Sequence, residues 1–291
     1  MIILVVDDSP IDRRLASGLL TKAGFETRVA DNGQAALASL DREHAALVVT
    51  DLAMPEMDGL ELVRAARARH PDVPVILMTA HGSEEIAARA LQAGAASFVP
   101  KRDLARSLAE TVHAILAMRK REAPPPSSGA LSTTHWELGN DLAEIASVVT
   151  VLEARLAEAR LVDETARIQV AVALREAIVN AMLHGNLELP STLKEEDPVA
   201  HDRLRDERRA LPPWRDRRVH VTVTESPDDV TYVVRDEGAG FDLSTLPDPT
   251  DLANLERTSG RGLFLIRTFM DDVSHADSGR TITMVKRRAP A

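Results

Sequence analysis

Cysteine is absent from this 291-residue sequence, and so are long apolar runs. Without cysteine there are no disulfides, no thiol chemistry and no cysteine-ligated zinc. No apolar run approaches the roughly 20 residues that cross a bilayer, so we expect no membrane partner. The chain enters the apolar run Ile2–Val6 with no basic segment before it, so we expect no signal peptide. These absences favour a cytoplasmic protein.

Positive charge is in the minority, with 35 Lys and Arg against 45 Asp and Glu and a net charge of −10. Because contacts to a phosphate backbone need clustered Lys and Arg, this balance argues against general nucleic-acid binding. The hydrophobic content of 44% is enough for sizeable cores. The length suggests two domains.

Short apolar runs alternate with helical patterns over residues 1–121. This alternation predicts a doubly wound α/β domain, in which helices cover both faces of a five-stranded parallel sheet. The predicted strands are Ile2–Val6, Thr27–Ala30, Ala46–Thr50, Val73–Met78 and Ala96–Val99. The predicted helices are Ile11–Lys22, Gly33–Leu40, Leu60–Arg69, Glu84–Ala93 and Asp103–Met118.

Polar residues follow the predicted strands at their carboxyl ends, where ligands bind in folds of this class. Asp7 and Asp8 end the first strand and Asp51 ends the third, and three carboxylates at one edge favour a hard cation such as Mg²⁺. Thr79 and Lys101 follow the fourth and fifth strands and would bind an added anion. Any single Asp is more often a helix cap. The set together predicts a site that forms an acyl phosphate on a carboxylate.

These segments resemble the CheY-like receiver domain of two-component response regulators over the whole first domain. The resemblance is carried by Asp7-Asp8, Asp51-Leu-Ala-Met-Pro-Glu-Met-Asp-Gly59, Thr79-Ala80 and Phe98-Val-Pro-Lys101. It implies that Asp51 accepts a phosphoryl group, with a sensor histidine kinase as partner.

The same resemblance implies further roles around Asp51. Asp8, Asp51 and the Ala53 carbonyl would ligate Mg²⁺, with Asp7 acting through water. Lys101 would pair with the phosphoryl group, and Thr79 would move toward it. Phe98 would rotate inward as the switch aromatic, with an ordinary buried phenylalanine as the alternative.

Residues 122–131 form a Pro/Ser-rich linker around a Pro-Pro-Pro core. This composition favours extended polyproline geometry, at about 3.1 Å per residue. The segment marks a domain boundary, and the helix before it could run on to Arg121 and transmit movement from the first domain.

The second domain, residues 132–291, is organised around a helix over Val170–Gly185. Two apolar stripes make it mostly buried, yet Gln169, Glu176, Asn180 and His184 form a polar ridge between them. The ridge either faces water or lines a ligand cavity, because burying unpaired polar groups is costly.

Two alternating strands, Val219–Glu225 and Val230–Asp236, follow the helix, and the second leads into Asp236-Glu-Gly238-Ala-Gly240. A further helix, over Ser259–Val273, opens at Gly260-Arg261-Gly262, where free N–H groups can bind phosphate. Each glycine pair alone is more often a tight turn. The remaining predicted elements are a strand at His135–Leu138, a helix from Asn140 or Asp141 to about Arg160, a cap at Asp163 and a strand at Thr281–Lys286.

The ordered set resembles the α/β sandwich of Bergerat-type ATPases, which gyrase-type ATPases and histidine kinases share. Glu176-Ala-Ile-Val-Asn180 matches the N box, and the two glycine segments match the glycine boxes. The resemblance implies ATP as cofactor, with Asn180 holding its Mg²⁺ and Asp236 recognising adenine. Gly238, Gly240, Gly260, Arg261 and Gly262 would serve the lid and the phosphates, Glu176 would activate the attacking group, and Thr281 or Thr283 would touch adenine.

Within that fold, the hairpin carrying a phosphorylatable histidine is missing, so a histidine kinase is disfavoured. The N-box helix and the segment Leu265–Val273 instead resemble anti-sigma factor serine kinases of the RsbW and SpoIIAB type. This resemblance implies a serine/threonine protein kinase whose partner is an anti-anti-sigma factor or a sigma-like protein. A charged insertion, residues 188–218, departs from the pattern; it could be a solvated face, a partner site or a cover for the nucleotide.

Three functions stay open. The leading one is a response regulator with an anti-sigma-type kinase output. The others are a module that binds ATP and sequesters a partner without phosphoryl transfer, and a histidine phosphorelay element. No helix-turn-helix remains after both domains are assigned, so we expect no direct DNA binding, and a homodimer is left open.

Overall fold

A computed structural model describes residues 1–80, 84–118, 132–240 and 261–288. Across these ranges, no helix combines the length and apolar character that a membrane crossing requires. The chain forms two compact units, one holding the first five strands and the other the last five. The predicted linker at 122–131 lies outside the described residues, so the domain bounds stay predictions.

The first unit is a parallel sheet with strand order β2-β1-β3-β4-β5, which confirms the predicted doubly wound class. Strands β3 and β4 are buried at every residue, because helices cover both faces of such a sheet. The strands are β1 (Ile2–Val6), β2 (Glu26–Ala30), β3 (Leu47–Asp51), β4 (Val75–Thr79) and β5 (Ser97–Pro100). The helices are α1 (Pro10–Lys22), α2 (Gly33–Arg42), α3 (Gly59–Arg69), α4 (Glu84–Ala93) and α5 (Leu104–Met118).

Side-chain caps start three of these helices close to the strand ends. Ser9 accepts from the Asp12 amide at the start of α1, and Asn32 accepts from the Ala35 amide at the start of α2. Asp58 and Glu61 form a capping box at the start of α3. Because the caps satisfy free N–H groups at the helix starts, they hold the loops that carry the acidic residues.

The second unit is an antiparallel sheet with strand order β6-β7-β8-β10-β9. Buried and half-buried residues alternate along β7 and β8, as expected when helices cover only one face. The strands are β6 (Ser132–Leu138), β7 (Val219–Glu225), β8 (Asp229–Arg235), β9 (Asp272–Ala276) and β10 (Thr281–Arg287). The helices are α6 (Leu142–Ala159), α7 (Glu164–Asn180), α8 (Leu193–Glu196), α9 (Pro198–Ala210) and α10 (Arg261–Phe269).

Two elements of this unit differ from the prediction. The α-helix ends at Asn180 and continues as a π-helix over Ala181–Asn186, rather than running as one α-helix to Gly185. The last predicted helix stops at Phe269, and the residues that follow form β9. β9 is an edge strand that carries polar residues and has no buried position. Apolar periodicity therefore does not reveal it in the sequence.

Candidate functional site

Three carboxylates meet at the carboxyl edge of the parallel sheet. Asp7 is fully buried at the end of β1, Asp51 is 6% exposed at the end of β3, and Asp8 is exposed. One oxygen from each lies within 4.8 Å of the others. Carboxylate oxygens at this separation are the ligands that Mg²⁺ takes in proteins.

Lys101 lies beside this acidic cluster, in a short 3-10 helix that follows β5. Its ammonium nitrogen is 3.0 Å from Asp7 Oδ2, 3.1 Å from Asp51 Oδ2 and 2.9 Å from Asp12 Oδ2. Burial lowers the pKa of Lys101, but the hydrogen bonds that Lys101 donates to Asp12 and Asp7 and the charge of Asp51 outweigh that effect and raise the pKa. The lysine therefore stays protonated and can pair with an added anion.

Asp51 is held by contacts on two sides. Its Oδ1 accepts a hydrogen bond of 2.8 Å from the Leu52 amide, and its Oδ2 faces Lys101. Burial raises the pKa of this carboxyl above its ordinary 3.8, and the charge of Lys101 offsets this only in part. A Cβ on Gly59 would lie 2.3 Å from the Asp51 carbonyl oxygen, so only glycine lets α3 start this close.

The other predicted receiver residues surround the same edge. Thr79 is 6% exposed, one residue beyond Met78, the parallel partner of Asp51. Ala53 is exposed in the loop after β3. Phe98 is 1% exposed in the core of β5, so its role as a switch aromatic stays a prediction.

Glu176 and Asn180 lie one helical turn apart on α7, and both are half-buried. Gly262, in the first turn of α10, packs against them: a Cβ there would lie 2.9 Å from Glu176 Oε2 and 3.5 Å from Asn180 Nδ2. The fold thus brings the N box to a helix N-terminus, which favours negative charge. Arg175 Nη1 lies 2.9 Å from the other carboxylate oxygen of Glu176.

Asp236 follows β8 and is 6% exposed. Its Oδ1 accepts a hydrogen bond of 2.9 Å from the Gly238 amide. Burial raises the pKa of Asp236 above its ordinary 3.8, although the Gly238 amide and the charges of Arg280 and Arg217 oppose this. The carboxylate is a buried acceptor suited to an exocyclic amino group.

Glycines surround Asp236 at very short range. A Cβ on Gly185 would lie 2.3 Å from Asp236 Cγ, and one on Gly238 would lie 2.2 Å from the Gly185 carbonyl oxygen. Gly240 has a left-handed φ of +80° and would bring a Cβ within 2.5 Å of the Ser278 carbonyl oxygen. These three positions therefore require glycine for close backbone approach or for conformation.

Thr281 begins β10 and is 9% exposed. It pairs with Arg235, the residue before Asp236, whereas Thr283 pairs with Val233 farther from that strand end. The Thr281 hydroxyl donates to Asp277 Oδ2 at 2.7 Å. Of the remaining predicted ligands, Arg261 begins α10 and Gly260 lies outside the described residues.

Sequence reasoning did not select Asp12, Gly185 or Asn186 as site residues. Asp12 looks like an ordinary acidic residue in the first turn of a helix, and Gly185 looks like a helix stop. Their contacts with Lys101 and Asp236 join distant parts of the chain. His184, predicted to lie on the polar ridge, bonds through Nδ1 to the Leu189 carbonyl at 2.8 Å.

Two family models match this chain. The model of the histidine kinase-like ATPase domain matches residues 138–286, which is more than half of the sequence. The chain belongs to the histidine kinase-like ATPase domain family. The model of the response regulator receiver domain matches residues 3–113, so a receiver domain precedes the ATPase domain.

Curated relatives of this receiver–ATPase chain are response regulators. The response regulator protein PilR of Pseudomonas aeruginosa is 42% identical over 121 residues, which are 41% of this chain and 27% of PilR. The DNA-binding transcriptional regulator NtrC of Salmonella typhimurium is 36% identical over 124 residues, which are 42% of this chain and 26% of NtrC. The chain thus spans about a quarter of the length of these relatives.

A solved structure also resembles the chain. The receiver domain of NtrX from Brucella abortus is 35% identical, covers 35% of this chain and 90% of its own, and has a TM-score of 0.34.

Membership of the ATPase family implies that ATP binds the second domain, and receiver domains generally interact with sensor histidine kinases. The acidic cluster of the receiver domain has the donor set for Mg²⁺.

Proposed function

We propose that this chain is a response regulator in which phosphorylation of Asp51 controls an ATP-dependent serine/threonine kinase of the anti-sigma type. The observation that carries the kinase assignment is the contact of Glu176 and Asn180 with Gly262, at the N-terminus of α10. This arrangement gathers a candidate base, a candidate ligand for the Mg²⁺ of ATP and a helix N-terminus that favours phosphate.

In the receiver domain, Asp51 would attack the phosphorus of a sensor kinase phosphohistidine. A bond forms between a carboxylate oxygen and phosphorus, the phosphorus–nitrogen bond breaks, and the histidine takes up a proton. Lys101, 3.1 Å from Asp51 Oδ2, would pair with the transferred group. Asp8, Asp51 and the Ala53 carbonyl would hold Mg²⁺, with Asp7 acting through water, and the ion neutralises phosphoryl charge when bound.

In the ATPase domain, Glu176 would accept the proton of a serine or threonine hydroxyl of the partner protein. The hydroxyl oxygen then bonds to the γ-phosphorus of ATP, and ADP leaves. Phosphoryl transfer depends mostly on positioning and charge neutralisation, so this base is one contributor among several. Asn180 would hold the Mg²⁺ of ATP, and Asp236 would accept from the adenine amino group. Gly238, Gly240, Gly260, Arg261, Gly262 and Thr281 would complete the nucleotide site.

The partner would be an anti-anti-sigma factor, or a sigma-like protein that the domain binds. This assignment rests on the resemblance of the N-box helix to the anti-sigma kinases.

A second function, ATP-dependent sequestration of a partner without transfer, is favoured by one contact. Arg175 Nη1 lies 2.9 Å from Glu176 Oε1. This pairing engages one of the two carboxylate oxygens of Glu176, so that oxygen is not open to a substrate hydroxyl. The two functions therefore differ in whether Glu176 stays paired with Arg175 when nucleotide binds.

Replacing Glu176 by glutamine separates the two functions. If the domain is a kinase, Glu176→Gln keeps ATP affinity within a few fold and slows transfer by about a hundred- to ten-thousandfold. The measurement combines calorimetry with ³²P transfer from ATP to anti-anti-sigma-type proteins. Glu158→Gln, the same change at an exposed position of α6, should leave both quantities unchanged.

Absence of transfer by the wild type, with partner binding that survives Glu176→Gln, would support the sequestering module instead. Loss of ATP binding or of folding in Glu176→Gln would mean that the residue is structural.

A further inference from the structure

The charged insertion, residues 188–218, packs on the π-helix that follows α7. Leu183, Leu187 and Leu189 form a small apolar core, against which Leu204 and Trp214 of the insertion pack. These contacts make the insertion part of the folded ATPase domain rather than a purely solvated face.

Polar contacts add to this docking. The Arg208 guanidinium lies 5.0 Å from the centre of the Trp214 ring and donates to the carbonyls of Leu187 and Glu188, at 2.6 and 2.7 Å. Trp214 Nε1 donates to Glu188 Oε2 at 3.1 Å.

Asn140, just before α6, joins the far end of the insertion to Asn186, the last residue of the π-helix. Its amide nitrogen donates to the carbonyls of Trp214 and Arg217, at 2.8 and 3.2 Å. Its side-chain oxygen accepts from Asn186 Nδ2 at 2.9 Å. Asn140 is 8% exposed and Asn186 is fully buried, so water does not compete for these bonds.

Asn186 continues the connection to the predicted adenine site. Its side-chain oxygen accepts a hydrogen bond of 2.8 Å from the Glu237 amide, and Glu237 directly follows Asp236. Its backbone carbonyl accepts from Arg217 Nη1 at 2.7 Å. Three hydrogen bonds in series therefore run from the insertion, through two amide side chains, to the turn Asp236–Gly238.

We propose that Asn140 and Asn186 are positioning residues for base recognition, which fix Asp236 relative to the insertion and so set the preference for adenine over guanine. This inference rests on the proposed function to the extent that the domain binds ATP. Adenine presents an amino donor to the Asp236 carboxylate, whereas guanine presents a carbonyl oxygen at the same ring position. A carboxylate rejects that oxygen only while it is held in place.

The test measures the ratio of the GTP and ATP dissociation constants for the full chain, by calorimetry, at a temperature at which every variant is folded. A site built around one hydrogen bond to its ligand discriminates strongly against the analogue that lacks it. We expect Asn186→Ala to reduce this ratio by about tenfold or more, and Asn140→Ala to reduce it in the same direction.

A matched control separates positioning from stability. Leu152→Ala removes a buried side chain of α6 that takes no part in the amide series. It should lower the melting temperature yet keep the GTP-to-ATP ratio within about twofold, because a folded domain with Asp236 in place discriminates normally. A reduced ratio in this control would assign the effect to stability and overturn the proposal.

Unchanged ratios in both alanine variants would also overturn it, whatever their melting temperatures. If the alanine variants do not fold, they are replaced by Asn140→Ser, which keeps a hydroxyl group at this position. An unchanged ratio of the GTP and ATP dissociation constants in Asn140→Ser overturns the proposal. A wild type that binds no ATP overturns the proposed function and this inference with it. A wild type that prefers ATP, with variants that keep the preference, overturns this inference alone.

Discussion

At the scale of single residues, Gly185 shows how the predicted nucleotide site of the ATPase domain depends on close packing of the backbone against Asp236. A Cβ at this position would lie 2.3 Å from Asp236 Cγ, a distance that forces the carboxylate or the backbone to move. We expect Gly185→Ala to weaken ATP binding at least about tenfold, since a displaced buried acceptor no longer meets its donor. Calorimetry with Mg-ATP measures the change.

Gly18 provides the matched glycine control. It lies within α1, and a Cβ there meets nothing within 4 Å. Gly18→Ala should stabilise the helix by about 0.5–1 kcal/mol and leave ATP affinity unchanged. Equal ATP affinities in Gly185→Ala and the wild type would contradict the close-approach argument.

The raised pKa of Asp236 also predicts that ATP affinity depends on pH. Burial raises its pKa above 3.8, so acidification protonates it sooner than an ordinary Asp, and ATP affinity should fall on mild acidification. In the protein without nucleotide, acidification has the opposite effect, because it increases the contribution of Asp236 to the free energy of unfolding. Protonation of Asp236 favours folding, so this stabilisation is fully present below 3.8 and is lost as the pH rises through the raised pKa.

Calorimetric ATP titrations from about pH 8 to about pH 5 measure this dependence. Asp236→Asn is the reference, because it keeps the titration of ATP itself but lacks the carboxyl group. Identical pH profiles for the wild type and Asp236→Asn would show that Asp236 does not titrate in binding.

The sequence predicted that the site residues of the receiver domain lie close together, because the carboxyl ends of parallel strands share one edge of a sheet. Asp7, Asp51 and Lys101 follow from that rule and lie together in the structure. Asp12 and Asn186 could not be predicted in this way. Their partners are set by side-chain contacts between elements that no periodicity links.

At the scale of elements, Arg155 ties α6 to the edge of the antiparallel sheet. Its guanidinium makes two bonds of 2.8 Å to the Glu225 carboxylate and contacts the hydroxyls of Thr134 and Ser132 on β6. Since lysine cannot reproduce a bidentate pair, Arg155→Lys should weaken the anchoring of β6 by roughly 1–3 kcal/mol.

Amide hydrogen exchange of Ser132–Leu138 by mass spectrometry reports this loss as faster exchange in β6. Arg203→Lys, at an exposed position of α9, should leave exchange in β6 unchanged. Unaltered protection in Arg155→Lys would mean that backbone pairing with β7 holds the strand alone.

The elements that the sequence predicted well have clear apolar patterns and buried faces, such as β1, β7 and α3. The π-helix at Ala181–Asn186 could not be predicted, because its residues would equally suit an α-helix. Its bond from the Leu187 amide to the Met182 carbonyl spans five residues and accompanies the packing of Gly185 under Asp236. Tertiary contact decides the local geometry there.

At the scale of the whole molecule, phosphorylation of Asp51 should change the output of the ATPase domain. With Mg²⁺ and a small phosphodonor, we expect the wild type to gain one phosphoryl group. Its rate of ATP-dependent transfer should change by about 5- to 150-fold, the range of typical allosteric coupling. Intact mass and a ³²P transfer assay measure the two effects.

Asp51→Asn should abolish both effects, whereas Asp31→Asn, at an exposed aspartate, should keep both. Phosphoryl gain by Asp51→Asn would place the acceptor elsewhere. A phosphorylated wild type with an unaltered transfer rate would uncouple the receiver domain from the output.

The docking of Trp214 in the insertion gives the molecule an intrinsic optical reporter. The chain has two tryptophans, Trp136 in β6 and Trp214, so native indole fluorescence arises outside the receiver domain. Trp136→Phe would leave a single emitter, whose ring contacts Arg208 and bonds to Glu188. A change in its emission on adding a phosphodonor to Asp51 would then follow the insertion in real time, without an attached dye.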